Sequence, residues 1–66
     1  MSDIETLKAE IKKLSARATS AKMNLHDLSE ELPVDFQKIP LVADEAFAAY
    51  RDLTDARARL KALEAA

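Results

Sequence analysis

The chain contains no cysteine and no glycine, and its only two prolines, Pro33 and Pro40, sit close together near the middle. The missing cysteines remove disulfide staples, thiolate metal ligands and sulfur redox chemistry together. The missing glycines remove any glycine-rich loop that could cradle a phosphate. No apolar run approaches the ~18 residues a membrane span requires, and the opening "MSDIETLKAE" lacks the charged and apolar regions of a signal peptide. A cytoplasmic protein without membrane attachment is therefore expected. A strong excess of either charge is also absent. The 12 acidic and 10 basic side chains leave a net charge of −2, which draws neither nucleic acid nor anionic lipid in bulk.

What is present is the vocabulary of long helices, with Ala, Leu, Lys, Glu and Arg dominating. From Ile4 the apolar residues run Ile4, Leu7, Ile11, Leu14, Ala18, Ala21, Leu25, Leu28 and Leu32, alternating steps of three and four without a break. That is a heptad seam. Ser2 followed by Glu5 fits a capping box at its start, and Pro33 cannot continue the helical hydrogen bonding, so helix 1 is expected over about 2–32. A second unbroken seam runs Ile39, Val42, Ala46, Ala49, Leu53, Ala56, Leu60 and Leu63. Asp35 is a plausible N-cap for a first turn "FQKI", and Pro40 lies within or just after that turn, where a kink or restart can occur. Helix 2 is expected over about 36–64 and the turn over about 33–36. So short a connection makes residues 1–66 a single antiparallel two-helix hairpin, an all-α coiled coil.

Folded about that turn, the seams bring large residues against small ones. Leu25 faces Ala46, Leu53 faces Ala18, Leu14 faces Ala56 and Ala21 faces Ala49. A two-helix rod leaves much of its seam wet, and a core of 66 residues rarely supplies more than about 3–5 kcal/mol. The remaining staple is oligomerisation, with two hairpins meeting seam to seam as a four-helix bundle. The homo-oligomer is a dimer, or a tetramer if further surfaces engage. Met23, Leu41, Phe47 and Tyr50 fall outside the seam and gather toward the turn. They are either scattered surface residues or a second packing surface.

The catalytic inventory is thin. His26 is the sole neutral-pH acid or base and no hydroxyl has an activating neighbour, so the expectation is a protein that is not an enzyme and needs no cofactor. Yet Asp27, Glu30 and Glu31 occupy a helix C-terminus, where the dipole disfavours acids by about 0.3–1 kcal/mol each. His26 and Glu30 stand four apart on one face with Asp27 adjacent, so the three could hold a divalent cation such as nickel, cobalt or zinc, completed by a second chain. The plainer alternative is a solvated or hydrogen-bonded histidine. Basic residues gather toward the other end: Lys8, Lys12, Lys13, Arg17 and Lys22, then Arg57, Arg59 and Lys61. They could grip RNA phosphates, but Glu10, Asp52 and Asp55 dilute them and no aromatic platform is interleaved, so a solvated, partly self-paired face is favoured.

Across nearly its whole length the chain resembles the Rop-like family of small proteins encoded within nitrogen-fixation operons. The resemblance is carried by Ala21-Lys22-Met23, Leu25-His26-Asp27-Leu28, Leu32-Pro33, Ile39, Val42-Ala43 and Ala49-Tyr50. An aromatic, often tryptophan, stands in the family where this chain has Phe36. The resemblance implies hairpins assembling into rod-like dimers or larger oligomers, a role in nitrogen fixation, and divalent-metal binding through His26. The reading it supports is a non-enzymatic accessory protein that works with a nitrogenase-maturation partner. Likeness to Rop is one of shape, so RNA binding does not follow from it. A Rop-type RNA-binding regulator stands as the competing reading.

Overall fold

A computed structural model describes residues 3–65, and it is a hairpin of two long helices. Helix α1 spans Asp3–Glu31, and its first turn carries Asp3 and Glu5, where carboxylates meet the positive end of the dipole. The expected Ser2 cap lies outside the described residues. At the other end α1 stops at Glu31, two residues before Pro33. A turn over 32–35 follows, held by the Val34 amide donating to the Glu31 carbonyl and the Phe36 amide donating to that of Pro33.

The start of the second arm differs from the sequence expectation. Phe36–Lys38 is a single 3₁₀ turn, and helix α2 begins only at Ile39, running to Ala65. Pro40 supplies the reason. An α-helix begun at Phe36 needs an amide at position 40 to reach the Phe36 carbonyl, and proline has none. The Ile39 amide takes that carbonyl instead, closing the tighter turn. Pro40 then occupies the first turn of α2, where its missing N–H costs nothing. Asp35 precedes the 3₁₀ turn in the left-handed region at φ 58°, but its carboxylate makes no capping hydrogen bond. It lies 3.8 Å from the Lys38 ammonium instead.

The helices lie side by side in a rod of 49 × 15 × 13 Å. The most buried residues are alanines: Ala18, Ala49 and Ala56 are at most 1% exposed, which lets the backbones approach closely. Ala18, Ala49 and Leu53 form the central cluster, with Ile11, Leu14 and Ala21 packed against it. Of the twelve large aliphatic side chains in the two seams, only Leu7, Leu28 and Leu53 are buried. The others keep part of their surface in water, and Leu32, Ile39 and Leu63 are exposed.

Candidate functional site

The hairpin has two flanks, set by the heptad positions on either side of the seam. One carries Lys8, Ser15 and Lys22 opposite Tyr50, Arg57 and Glu64, and the Lys8 and Glu64 side chains meet across it at 4.0 Å. The other carries Glu10 and Arg17 opposite Asp52 and Arg59. There the Arg17 guanidinium donates to the Asp52 carboxylate at 3.1 Å, and Arg51 reaches the same carboxylate at 3.2 Å. These hydrogen bonds, from Arg17 first and then Arg51, hold the Asp52 carboxyl below its ordinary 3.8. Two members of the basic set, Lys8 and Arg17, are thus engaged by acids of the facing helix.

On the first flank, near the turn, an open groove of about 780 Å³ runs between the helices. Leu25, Ala43, Ala46, Phe47 and Tyr50 form its apolar floor, and Lys22 and Arg51 stand at its rim. Phe47 is 66% exposed, and the Arg51 guanidinium carbon lies 6.0 Å from its ring centroid, at the limit of a cation–π contact. Phe47, Tyr50 and Arg51 are neighbours on α2 by sequence spacing, and the fold adds Lys22 from α1 to the same groove. The antiparallel pairing of heptad positions is the signal that places Lys22 there.

His26, Asp27 and Glu30 occupy the last two turns of α1, on its outer surface, and all three side chains are largely exposed. The structure brings them together as neighbours but does not converge them as three ligands. Asp27 approaches Nδ1 of the ring at 3.7 Å, whereas Glu30 approaches Nε2 at 3.5 Å. One cation can lie between Nε2 and Glu30, while Asp27 faces the opposite edge of the imidazole. Among the described residues no group of three or more His, Asp or Glu side chains is arranged to hold a metal ion. A protein site for nickel, cobalt or zinc needs four or more donors, counting water, so the pair from one chain must be completed from elsewhere. The Ser29 hydroxyl donates to the His26 carbonyl at 2.7 Å, a local back-bond to the preceding turn of α1. No basic side chain stands in the last turn of α1.

From Glu31, the last residue of α1, to Leu41 every residue is exposed. No helix among the described residues is long and apolar enough to cross a membrane.

A family model described as Rop-like matches residues 2–65. Among curated relatives, a UPF0437 protein of Azorhizobium caulinodans is 65% identical over 65 residues, covering 98% of this chain and 94% of the relative. A Frankia alni relative, 33% identical over 51 residues, covers 77% of this chain and 62% of its own; it is described as a UPF0437 protein in the nifX-nifW intergenic region. The NMR structure of a structural-genomics target superposes with a TM-score of 0.90 at 45% identity, covering 98% of this chain and 92% of that one.

Proposed function

The chain belongs to the Rop-like family, one relative of which is described as lying in a nifX-nifW intergenic region, and from that premise we propose that it is a non-enzymatic accessory protein of nitrogen fixation that works as a self-associating helical bundle. The observation that carries the reading is the wet seam. Nine of the twelve large aliphatic seam residues stay partly or largely exposed in the single hairpin, and the closest packing is made by alanines, which bury little apolar area. A second copy laid seam to seam encloses that surface as a four-helix bundle. Dimers are the minimal assembly, and tetramers follow if the Phe47 groove also takes a copy. The Frankia relative's position between nifX and nifW supports an accessory role toward a protein of nitrogenase maturation. His26 and Glu30 are the donors this chain contributes to a divalent cation, with the remaining donors supplied by a second copy.

Sedimentation equilibrium tests the assembly, and a helical monomer that melts cooperatively at about micromolar concentration sinks it. Affinity capture on the tagged chain from nitrogen-fixing cells tests the accessory role. Enrichment of a nitrogenase-maturation protein supports it, and recovery of RNA in its place transfers the case to a Rop-type regulator.

A further inference from the structure

Of the nine large apolar side chains that stand exposed among the described residues, five lie between Leu32 and Leu41, at the turn end of the rod. Leu32 and Ile39 continue the seam and are covered when a second hairpin packs there. Val34, Phe36 and Leu41 do not continue it, and they are 60%, 56% and 62% exposed. Successive backbone hydrogen bonds from Glu31 to Lys38 close the turn around Val34 and Phe36, so the apolar tip is presented on an ordered scaffold.

The charge around this tip differs from that of the shaft. Between His26 and Glu45 six carboxylates, Asp27, Glu30, Glu31, Asp35, Asp44 and Glu45, face a single lysine, Lys38. The rest of the chain carries nine Lys and Arg side chains against six acids. Lys38 is drawn to Asp35, and His26 lies between Asp27 and Glu30. Glu31, Asp44 and Glu45 have no cationic side chain within ion-pair distance among the described residues.

We infer that this tip is a docking site for a partner protein's amphipathic segment that carries lysine or arginine beside its apolar side chains. An apolar patch set among acids repels nucleic acid and anionic lipid and attracts a cationic segment that also has something to bury. The site lies off the seam and goes beyond self-association, so the two readings stand or fall separately.

The probe is a synthetic amphipathic helix of leucine and lysine, titrated into the isotope-labelled full chain and followed by amide NMR. The controls are the same peptide with glutamate for lysine and a scrambled leucine–lysine peptide of equal composition. Saturable shifts confined to 32–41 and the flanking acidic turns are expected for the amphipathic lysine peptide alone, weakening several-fold as salt rises from about 0.05 to about 0.5 M. The double variant Phe36→Ser with Leu41→Ser should weaken binding about tenfold or more while sedimentation and circular dichroism stay unchanged. Equal binding of the glutamate or scrambled peptide overturns the proposal, as do shifts that map to the seam outside 32–41 or to the Phe47 groove. Loss of self-association in the double variant also overturns it, because the tip is then the contact of a second copy.

Discussion

At the scale of single residues, Asp52 shows how a surface charge acquires a defined role. Two arginines share its carboxylate, and the stronger hydrogen bond comes from Arg17 on the other helix, so the interaction ties the arms of the hairpin together. Because the folded-state pKa lies below the ordinary 3.8 of the unfolded chain, the stabilisation is fully present above that value and is lost as pH falls through the lower, folded one. Asp52→Asn should lower the melting temperature at neutral pH, and its gap from the parent chain should close on acidification into that range. A gap that is constant with pH shows that the carboxylate's charge is not what Arg17 holds. His26 is the second residue with a testable role. A divalent metal needs the neutral imidazole, so any nickel, cobalt or zinc affinity should fall as pH drops and protons compete for the ring. In calorimetry His26→Ala should abolish stoichiometric uptake without changing helicity, and Glu30→Gln should weaken it less. An unchanged isotherm in both variants, or a parent chain that takes up no metal, removes the cation from the account. The His26–Glu30 pairing follows from the i,i+4 helical spacing and is legible in the sequence, whereas Asp27 is only the adjacent residue. That Asp27 and Glu30 meet opposite ring nitrogens is not legible, because spacing gives a shared turn and not an approach direction.

At the scale of elements, the two helices were legible because a seam of threes and fours admits no strand and Pro33 marks an end. The second start was not. "FQKI" reads equally well as a first α-turn or as a separate 3₁₀ turn, and the choice depends on which amide satisfies the Phe36 carbonyl. Asp35 occupies the N-cap position that the sequence suggests, but without a side-chain capping hydrogen bond. It sits there because aspartate tolerates φ 58° better than most residues, in a chain that has no glycine to offer. The turn therefore makes a backbone prediction. Asp35→Val should destabilise the protein by about 1–2 kcal/mol, since a β-branched residue resists the left-handed region. Asp35→Gly should be neutral or mildly stabilising despite losing the exposed contact with Lys38. Chemical denaturation of the two variants measures this, and equal losses in both mean that the carboxylate, not the backbone angle, holds the turn.

At the scale of the whole molecule, heptad positions that look scattered in sequence become faces. Phe47, Tyr50 and Arg51 neighbour one another on α2 by spacings of one, three and four that the sequence shows, whereas Lys22 joins them in the groove only because the arms run antiparallel. That groove is the feature that favours the RNA-binding alternative, and it sets a sharp test. Retention on RNA should vanish by about 0.15 M salt, because Glu64 and Asp52 already engage Lys8 and Arg17 and the net charge is −2. Retention that persists, and that Lys22→Glu or Arg51→Glu abolishes, replaces the accessory-protein reading. Two seam leucines distinguish an isolated hairpin from a bundle. Leu53 is 3% exposed in the single hairpin, so Leu53→Lys buries a charge whatever the assembly state and should unfold the chain in every case. Leu14 is only half-buried against the central cluster. A lysine there could extend its ammonium into water from an isolated hairpin at little cost, but inside a four-helix bundle it is enclosed without a partner, at a cost of several kcal/mol. Leu14→Lys should therefore dissociate and unfold the protein in one concentration-dependent step by sedimentation and circular dichroism. If it keeps the parent melting temperature, the exposed half of the seam faces water in solution and no second copy covers it.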